Sequence, residues 1–236
     1  MSLFHPLKYL ILAMLFAGAA VPRQNQEWKL VFEDNFDGTS VDTTHWAMYD
    51  GPGHAGNGLR KPSAFTVRKG LLMITAQMQN GRLVSGGMAH KGNFRYGKFA
   101  FRVRTEPDPS GATSGVVLTW PQSERWPQDG ENDMYETGQN PRRKPFETFI
   151  HYGDRPETQY HFRHEADAKA WHIIEMEWSA DQLILFRDGK RVWTLDDKDA
   201  IPDVPHHLCL QLDAFKKSMG NPVRMYVDWV RVYQRR

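Results

Sequence analysis

The sequence predicts an all-β protein, an antiparallel β-sandwich, on three observations. Apolar and polar residues alternate in short stretches: in KFAFRVR, Phe99, Phe101 and Val103 share one face and basic residues share the other. Turn residues separate these stretches at regular spacing. Almost no stretch has the periodicity of an amphipathic helix. Many short strands joined by turns are typical of a sandwich.

Two hairpins are predicted where a turn pair falls between strand-like runs. FTVRKGLLMITA turns at Lys69-Gly70, and QLILFRDGKRVWTL turns at Asp188-Gly189, a favoured tight-turn pair. Six further segments have the composition of strands: SGVVLTW, ETFIHYG, TQYHFR, WHIIEMEW, HHLCLQL and RMYVDWVRVY. The glycine-rich segment GPGHAGNGLRKPS (51–63) is expected to form a long loop at the rim of a binding cleft. No internal repeat or low-complexity linker appears, so residues 20–236 are expected to form a single domain.

The first 19 residues differ in kind from the rest. They contain a basic Lys8, an apolar run and the small residues Ala17-Gly18-Ala19, a pattern typical of a cleaved signal peptide. The apolar run is too short to span a bilayer comfortably, which disfavours the alternative of an uncleaved anchor. We therefore expect residues 1–19 to be removed and the protein to be secreted or periplasmic.

Charge and cysteine content narrow the classes of partner. Removing the signal peptide lowers the Lys and Arg count from 30 to 29, against 28 acidic residues, so the mature chain is nearly neutral. This balance gives no reason to expect nucleic acid or a membrane as a partner, and we expect a monomer. The single cysteine, Cys209, cannot form an intrachain disulfide, and its alternating apolar context predicts a buried core thiol.

Three motif matches fail on their context. GPGHAG (51–56) fits the dinucleotide-binding glycine pattern, but no buried strand precedes it and Pro62 stands where a helix should run. The acids after Asp129 resemble a calcium loop, yet Met134 occupies the position that needs glycine, and Asn140 the position of the bidentate glutamate. HEADA (164–168) lacks the second histidine of a zinc-binding helix.

The segment GENDMYETG (130–138) crowds Glu131, Asp133 and Glu136 into six residues. In a regular strand, residues 131 and 133 share a face and residue 136 points away. A β-bulge between Asp133 and Glu136 would place all three acids on one face. Two glutamates on that face could bring their carboxyl groups within about 5–6 Å, the separation that retaining glycosidases use. The alternatives are a solvated acidic face and a calcium-binding patch.

Aromatic residues near these acids support a sugar-binding site, because sugar rings stack on aromatic planes. They are Trp120, Trp126, Tyr135, Tyr152, Phe94 and Tyr96. Each of them taken singly is more often a core residue. Trp126 is the exception, since it lies in the polar, proline-bounded stretch SERWPQDG. We predict Trp126, Trp120, Tyr135 and Tyr96 as substrate-binding residues, with Asn57 of the glycine-rich segment.

The sequence resembles glycoside hydrolase family 16, the laminarinase and lichenase group. The family's W-P-x-x-G-E-x-D-x-x-E motif is matched by 126-WPQDGENDMYE-136. Further landmarks follow the family's order: FEDNFDG, VRKGLLMITA, GNFRYGKFAFRVR, WHIIEMEWSADQLILFRDGK and MYVDWVRVY. The resemblance implies a concanavalin-like jelly roll with a concave cleft. It also implies retaining endo-hydrolysis of a β-linked glucan, without a cofactor.

The resemblance assigns roles to individual residues. It implies Glu131 as nucleophile, Asp133 as its helper and Glu136 as acid/base. Trp126 would stack on the sugar before the cleaved bond, and His151 would reach the same cleft. Some family members bind a structural calcium ion; the corresponding positions here are Asn35, Gly70 and Asp228.

Two departures from the family pattern leave the substrate open. Asn132 stands where the family has an aliphatic residue pointing into the sandwich, and a buried amide without a partner costs about 1–3 kcal/mol. SGVVLTWPQSERWP also replaces the usual cleft-wall sequence. Three alternatives therefore stand beside a glucanase acting on β-1,3 or mixed β-1,3/1,4 bonds. These are hydrolysis of another β-linked polysaccharide such as a galactan or a bacterial exopolysaccharide, transglycosylation, and a non-catalytic lectin.

Overall fold

A computed structural model describes residues 27–235. The predicted signal peptide, residues 1–19, lies outside this range. The described chain contains seventeen strands and three short 3-10 helices. The first nine strands are β1 (Trp28–Asp34), β2 (Trp46–Met48), β3 (Gly51–Pro52), β4 (Leu59–Arg60), β5 (Phe65–Val67), β6 (Leu72–Gln79), β7 (Arg82–His90), β8 (Gly97–Thr105) and β9 (Thr113–Pro121). The remaining strands are β10 (Glu131–Glu136), β11 (Phe146–His151), β12 (Gln159–His164), β13 (His172–Trp178), β14 (Leu183–Arg187), β15 (Lys190–Leu195), β16 (His206–Ala214) and β17 (Val223–Arg235). The 3-10 helices span His54–Gly56, Pro62–Ala64 and Lys198–Ala200.

The strands form two layers. The front sheet has the order β2-β7-β16-β9-β10-β11-β12. The back sheet has the order β15-β14-β13-β8-β17, and β17 pairs on its other side with β1 and β6. The β6–β7 hairpin joins the two sheets, and every pairing is antiparallel except that of β4 with β7. The predicted all-β jelly-roll sandwich is confirmed.

One apolar core fills the space between the sheets. Phe99, Phe101 and Val103 of β8 are fully buried, as their alternation predicts, and Val117 and Leu210 join them from the front sheet. Fully burying one such side chain contributes roughly 1.5–3 kcal/mol, so the core holds the sheets together without a disulfide. The single cysteine is buried, also as predicted. No helix in residues 27–235 is long and apolar enough to cross a membrane.

The predicted hairpin turns are confirmed. Lys69-Gly70 and Asp188-Gly189 have positive φ angles throughout, which tight two-residue turns require. A third pair with the same geometry, Asn80-Gly81, connects β6 to β7 and was missed, although Asn-Gly is the strongest short hairpin signal.

Candidate active site

The three acids of the motif lie on β10, in the middle of the front sheet. The register against β11 runs from Asp133 opposite Phe149 directly to Glu136 opposite Glu147, so β10 has an extra residue there. The pairing with β9 shifts at the same place. The predicted irregularity between Asp133 and Glu136 is therefore confirmed. It lets Met134 and Tyr135 both enter the core while Glu136 rejoins the face of the first two acids.

His151 of β11 completes the cluster. It lies opposite Glu131 in the ladder, and its Nε2 is 3.2 Å from Asp133 Oδ2. Glu131, Asp133 and His151 each contribute one polar atom within 4.8 Å of the others, and nowhere else in residues 27–235 do three acidic, histidine or cysteine side chains meet so closely. His151 Nδ1 is buried and has no hydrogen-bond partner among these residues.

Burial and mutual repulsion keep protons on this cluster. Burial raises the pKa of Glu131 well above its usual value, and the charge of Asp133 adds to this, whereas His151 and Trp126 lower it. Burial, and then the charge of Glu136, also raises the pKa of Asp133. Burial raises the pKa of Glu136 to about 7, with Asp213 as the next cause. Three carboxyl groups in one dry site cannot all ionise near neutral pH, so the site holds an acid together with a carboxylate.

A cleft of about 670 Å³ extends from Glu131 across β9, β16 and β7. Trp120 and Trp126 line it with nearly parallel rings, 10° apart, whose centroids are 6.3 Å apart. Trp120 Nε1 donates to Glu124 Oε2 at 2.9 Å. Trp126 Nε1 is buried without a partner among the described residues. The two indoles therefore form the aromatic wall expected for a sugar site, and the Trp126 side chain also lowers the pKa of Glu131.

Three predicted substrate-binding residues lie elsewhere. Tyr135 is 0% exposed, and its hydroxyl is 2.9 Å from Thr105 Oγ1 inside the core, because the bulge turns this residue inward. Tyr96 packs edge-on against Trp178, in a separate depression away from the acids. Asn57 ends the first 3-10 helix and is absent from the cleft lining, although its neighbours in the segment 53–55 line the cleft. The prediction for Tyr135 is wrong, because the residue is buried, whereas Tyr96 and Asn57 are partly exposed but outside the cleft lining. Sequence distance does not report which side of the backbone faces the cleft.

Sequence reasoning missed a polar cluster on the cleft floor. Arg60 donates to Asp213 Oδ1 from both Nε and Nη2, at 3.0 and 2.6 Å, and lies over the Tyr49 ring. Gln211 lies beside them with its Oε1 buried and unpartnered among the described residues. A side chain at Gly87 would come within 2.7 Å of the Tyr49 ring, so glycine makes room for it. These residues come from distant segments, and no local motif marks them.

Asn132 lies on the core face of β10, behind the acids. Its Nδ2 donates to Thr119 Oγ1 at 2.9 Å, and that hydroxyl is 3.1 Å from His206 Nδ1. His206 Nε2 is 3.0 Å from the Asp129 carbonyl, to which it donates. Burial lowers the pKa of His206 to about 4, so the neutral ring can accept at Nδ1 while donating at Nε2. The Asn132 amide nitrogen is thus part of a hydrogen-bonded chain with Thr119 and His206, whereas Asn132 Oδ1 has no partner among the described residues.

The predicted calcium positions do not fit an ion as they are arranged. The Asn35 carbonyl oxygen lies 3.8 Å from the point where a Gly70 side chain would begin, so these two positions are close. However, Asp228, the charged member of the set, accepts a hydrogen bond from Arg102 Nη1 at 2.5 Å. A calcium ion bound by that carboxylate would have to compete with this guanidinium.

The chain matches one protein family in sequence and several solved structures in fold. The family model of glycosyl hydrolases family 16 matches residues 55–231, most of the chain. A search among curated proteins finds no match. The catalytic domain of an endo-1,3-β-glucanase (laminarinase) from Thermotoga petrophila is 21% identical, with a TM-score of 0.78 over 89% of this chain and 99% of that one. The laminarinase from Rhodothermus marinus is 22% identical, with a TM-score of 0.78 over 89% of this chain and 98% of that one. The endo-β-1,3-glucanase from Pyrococcus furiosus is 20% identical, with a TM-score of 0.76 over 90% of this chain and 97% of that one. At these identities the solved structures share the fold, and the match to the family model over most of the sequence shows that the chain belongs to the glycosyl hydrolases of family 16.

Proposed function

We propose that the protein is a retaining endo-β-glycosidase that hydrolyses internal β-1,3 or mixed β-1,3/1,4 bonds of glucans. The observation that carries the proposal is the bulge in β10, which brings Glu131 and Glu136 to one face beside an aromatic-walled cleft. The similar structures named above as a laminarinase or an endo-1,3-β-glucanase support a β-1,3-glucan as the substrate.

In this mechanism Glu131 attacks the anomeric carbon as a carboxylate, and Glu136 donates its proton to the departing glycosidic oxygen. Glu136, with a pKa of about 7, remains protonated in weakly acidic solution. His151 and Trp126 favour the ionised form of Glu131. Burial and the charge of Glu136 raise the pKa of Asp133, whose carboxyl group lies within 4.8 Å of that of Glu131 and would help to orient it. In the second step Glu136 accepts a proton from a water molecule, whose oxygen bonds to the anomeric carbon as the bond from that carbon to Glu131 breaks.

The test is the release of reducing ends from laminarin and lichenan by the protein lacking residues 1–19. We expect oligosaccharide products whose anomeric configuration, read by NMR in the first seconds, is that of the substrate. Glu131→Gln and Glu136→Gln should each lower turnover by a factor on the order of 10²–10⁴ or more, because each removes one chemical step. Both variants should remain folded in a thermal melt, because the amide replaces a carboxyl group whose pKa burial raises, and it removes a charge that burial disfavours.

The outcomes separate the alternatives. Binding of both glucans without cleavage by the wild type would identify a lectin. Cleavage of a galactan or an exopolysaccharide, but of neither glucan, would contradict the substrate. Release of products with inverted configuration would contradict the covalent intermediate. If Glu131→Gln unfolds, the residue has a structural role instead.

A further inference from the structure

A histidine–carboxylate pair lies across the ladder from Glu136. Glu147 of β11 is directly opposite Glu136, and directly opposed residues in an antiparallel pair have Cβ atoms roughly 5 Å apart on one face. His161 of β12 places its Nε2 3.2 Å from Glu147 Oε1. The His161 ring stacks on Phe149, with planes 10° apart and centroids separated by 4.7 Å. The stacked ring and its contact with the carboxylate together hold Glu147 beside Glu136.

The groups that face Glu136 come from four strands. Asp133 lies on its own strand, and Ser114 of β9 places its hydroxyl 3.4 Å from Glu136 Oε1. Asp213 of β16 and Glu147 of β11 both make ionisation of Glu136 harder, whereas His151 of β11 makes it easier. Of the two outer acids, Asp213 is bound by Arg60 in the cleft floor and lies where substrate would touch it. Glu147 is outside the motif and outside the cleft lining, so its charge can be changed separately.

Solvent weakens the effect of Glu147 without removing it. Its side chain is 29% exposed and that of His161 is 42% exposed, so the pair is partly screened by water and salt. Arg163, the next residue across from Glu147, already donates to Glu165 and does not neutralise it in this arrangement. The negative charge on Glu147 therefore acts on Glu136 at short range and is only partly screened by solvent.

We propose that Glu147, held in place by His161, is a positioning residue that sets the upper limit of the pH range in which Glu136 can act as the acid. The inference rests on the proposed function, because Glu136 must donate a proton in that mechanism. The residue does not touch the reacting bond. It acts through electrostatic repulsion, which keeps the proton on Glu136 to higher pH.

The experiment compares pH profiles of kcat/KM on laminarin for the wild type, Glu147→Gln and Glu147→Lys. Activity falls on the alkaline side as Glu136 loses its proton, so removing the repulsion should move that limb to lower pH. We expect a shift of roughly 0.3–1 pH unit for Glu147→Gln and a larger one for Glu147→Lys. In about 1 M salt the Glu147→Gln shift should shrink, because the interaction is partly screened. The control is Glu157→Gln, which removes an exposed acid from the loop between β11 and β12 and should leave the limb unchanged.

Titration of the Glu136 carboxyl carbon by NMR, without substrate, tests the same coupling independently of activity. A wild type that cleaves no glucan contradicts the proposed function, while the titration still reports on Glu147. A pKa of Glu136 that is unchanged in Glu147→Gln overturns the inference, even if the enzyme is active. A change in KM with no movement of the alkaline limb also overturns it, because Glu147 would then contact substrate.

Discussion

Two of the buried acidic side chains in the front sheet and its adjoining loops, Asp108 and Asp133, have opposite properties. Asp108, 1% exposed, accepts hydrogen bonds from the backbone and hydroxyl groups of Ser110 and Thr113 and from the backbone of Ala112. Burial alone would raise its pKa, but these donors and Arg143 lower it overall. Asp133, 4% exposed, faces two glutamates and one histidine, and its pKa is raised. Two carboxyl groups with almost no exposed surface therefore form a structural anion in one place and a group with a raised pKa in the other, because Asp108 is surrounded by hydrogen-bond donors and Asp133 by other acids.

The surroundings of the two sites differ in the same way. Arg143, fully buried beside Asp108, donates to the carbonyl oxygens of Glu106, Thr113 and Gly138 and so ties two loops together. Around the acids of β10, three buried polar atoms have no partner among the described residues; they belong to Trp126, Asn132 and His151. Unpartnered buried groups reduce stability and are tolerated where function needs them. The comparison predicts that neutralising Asp108 harms the fold and that neutralising the acids of β10 helps it.

The largest expected effect is on stability, from Asp108→Asn. The amide keeps the shape but points an NH₂ group at donors, and it leaves Arg143 buried without a counter-charge. We expect the free energy of unfolding to fall by about 3–5 kcal/mol at pH 7. The pKa of Asp108 is lowered in the folded state, so its contribution is present above the unfolded value and is lost as pH falls through the folded one. The difference between variant and wild type should therefore narrow in acid.

Urea denaturation at pH 7 and at about pH 3 measures this effect. Asp196→Asn is the matched control, since Asp196 is exposed and should change the free energy of unfolding by no more than about 0.5 kcal/mol. A loss below about 1 kcal/mol for Asp108→Asn would show that its hydrogen bonds do not set the stability of this region.

The second effect has the opposite sign: Glu136→Gln should stabilise the protein at high pH. The folded pKa of about 7 lies above the ordinary 4.5, so the native state binds a proton more tightly than the unfolded chain does. The wild type therefore loses free energy of unfolding as pH rises from 4.5 to about 7. The glutamine variant does not, because its amide does not titrate. We expect a gain of roughly 1–3 kcal/mol at pH 8 and none at pH 4. Thermal melts at both pH values measure it, with Glu175→Gln on the back sheet as control; a uniform gain at both pH values would contradict the titration.

The fold and the acids of β10 could be predicted from the sequence because a local pattern marks them, whereas the Asp108 site could not. The acids at 131, 133 and 136 break the strand period, and that break predicts the bulge. The same bulge made the prediction for Tyr135 wrong, since it turns one additional residue into the core. Asp108 and Arg143 were missed because their partnership joins loops 35 residues apart in sequence, and a lone aspartate between prolines looks like an ordinary turn. Arg60 and Asp213 were missed for the same reason.

The third effect concerns Trp126, which lines the cleft together with Glu131. Trp126→Ala removes a stacking plane from the cleft wall and a group that favours the ionised form of Glu131. Aromatic contacts of this kind contribute about 0.5–1.5 kcal/mol beyond the area they bury, so we expect KM on laminarin to rise by roughly tenfold and kcat to fall less. Trp126→Phe keeps a ring but loses the N–H, and should recover most of the KM. Unchanged KM and kcat in Trp126→Ala would rule out stacking.

The smallest effect is expected from Asn132→Leu, which restores the aliphatic residue that the family resemblance implies. Asn132 Nδ2 has a hydrogen-bond partner but Oδ1 has none among the described residues. Thr119 keeps its contact with His206 when the amide is removed. Removing a half-satisfied polar group can be nearly neutral, so we expect the free energy of unfolding to change by less than about 1 kcal/mol. Thr119→Val is the matched comparison, because it breaks the chain at its centre and leaves both Asn132 and the His206 nitrogen without that hydroxyl; it should cost about 1–3 kcal/mol. Urea denaturation of both variants measures the difference. If Asn132→Leu lowers the free energy of unfolding more than Thr119→Val does, the amide stabilises β10 as Asp108 stabilises its loops. The contrast between buried groups with and without hydrogen-bond partners would then not hold at Asn132.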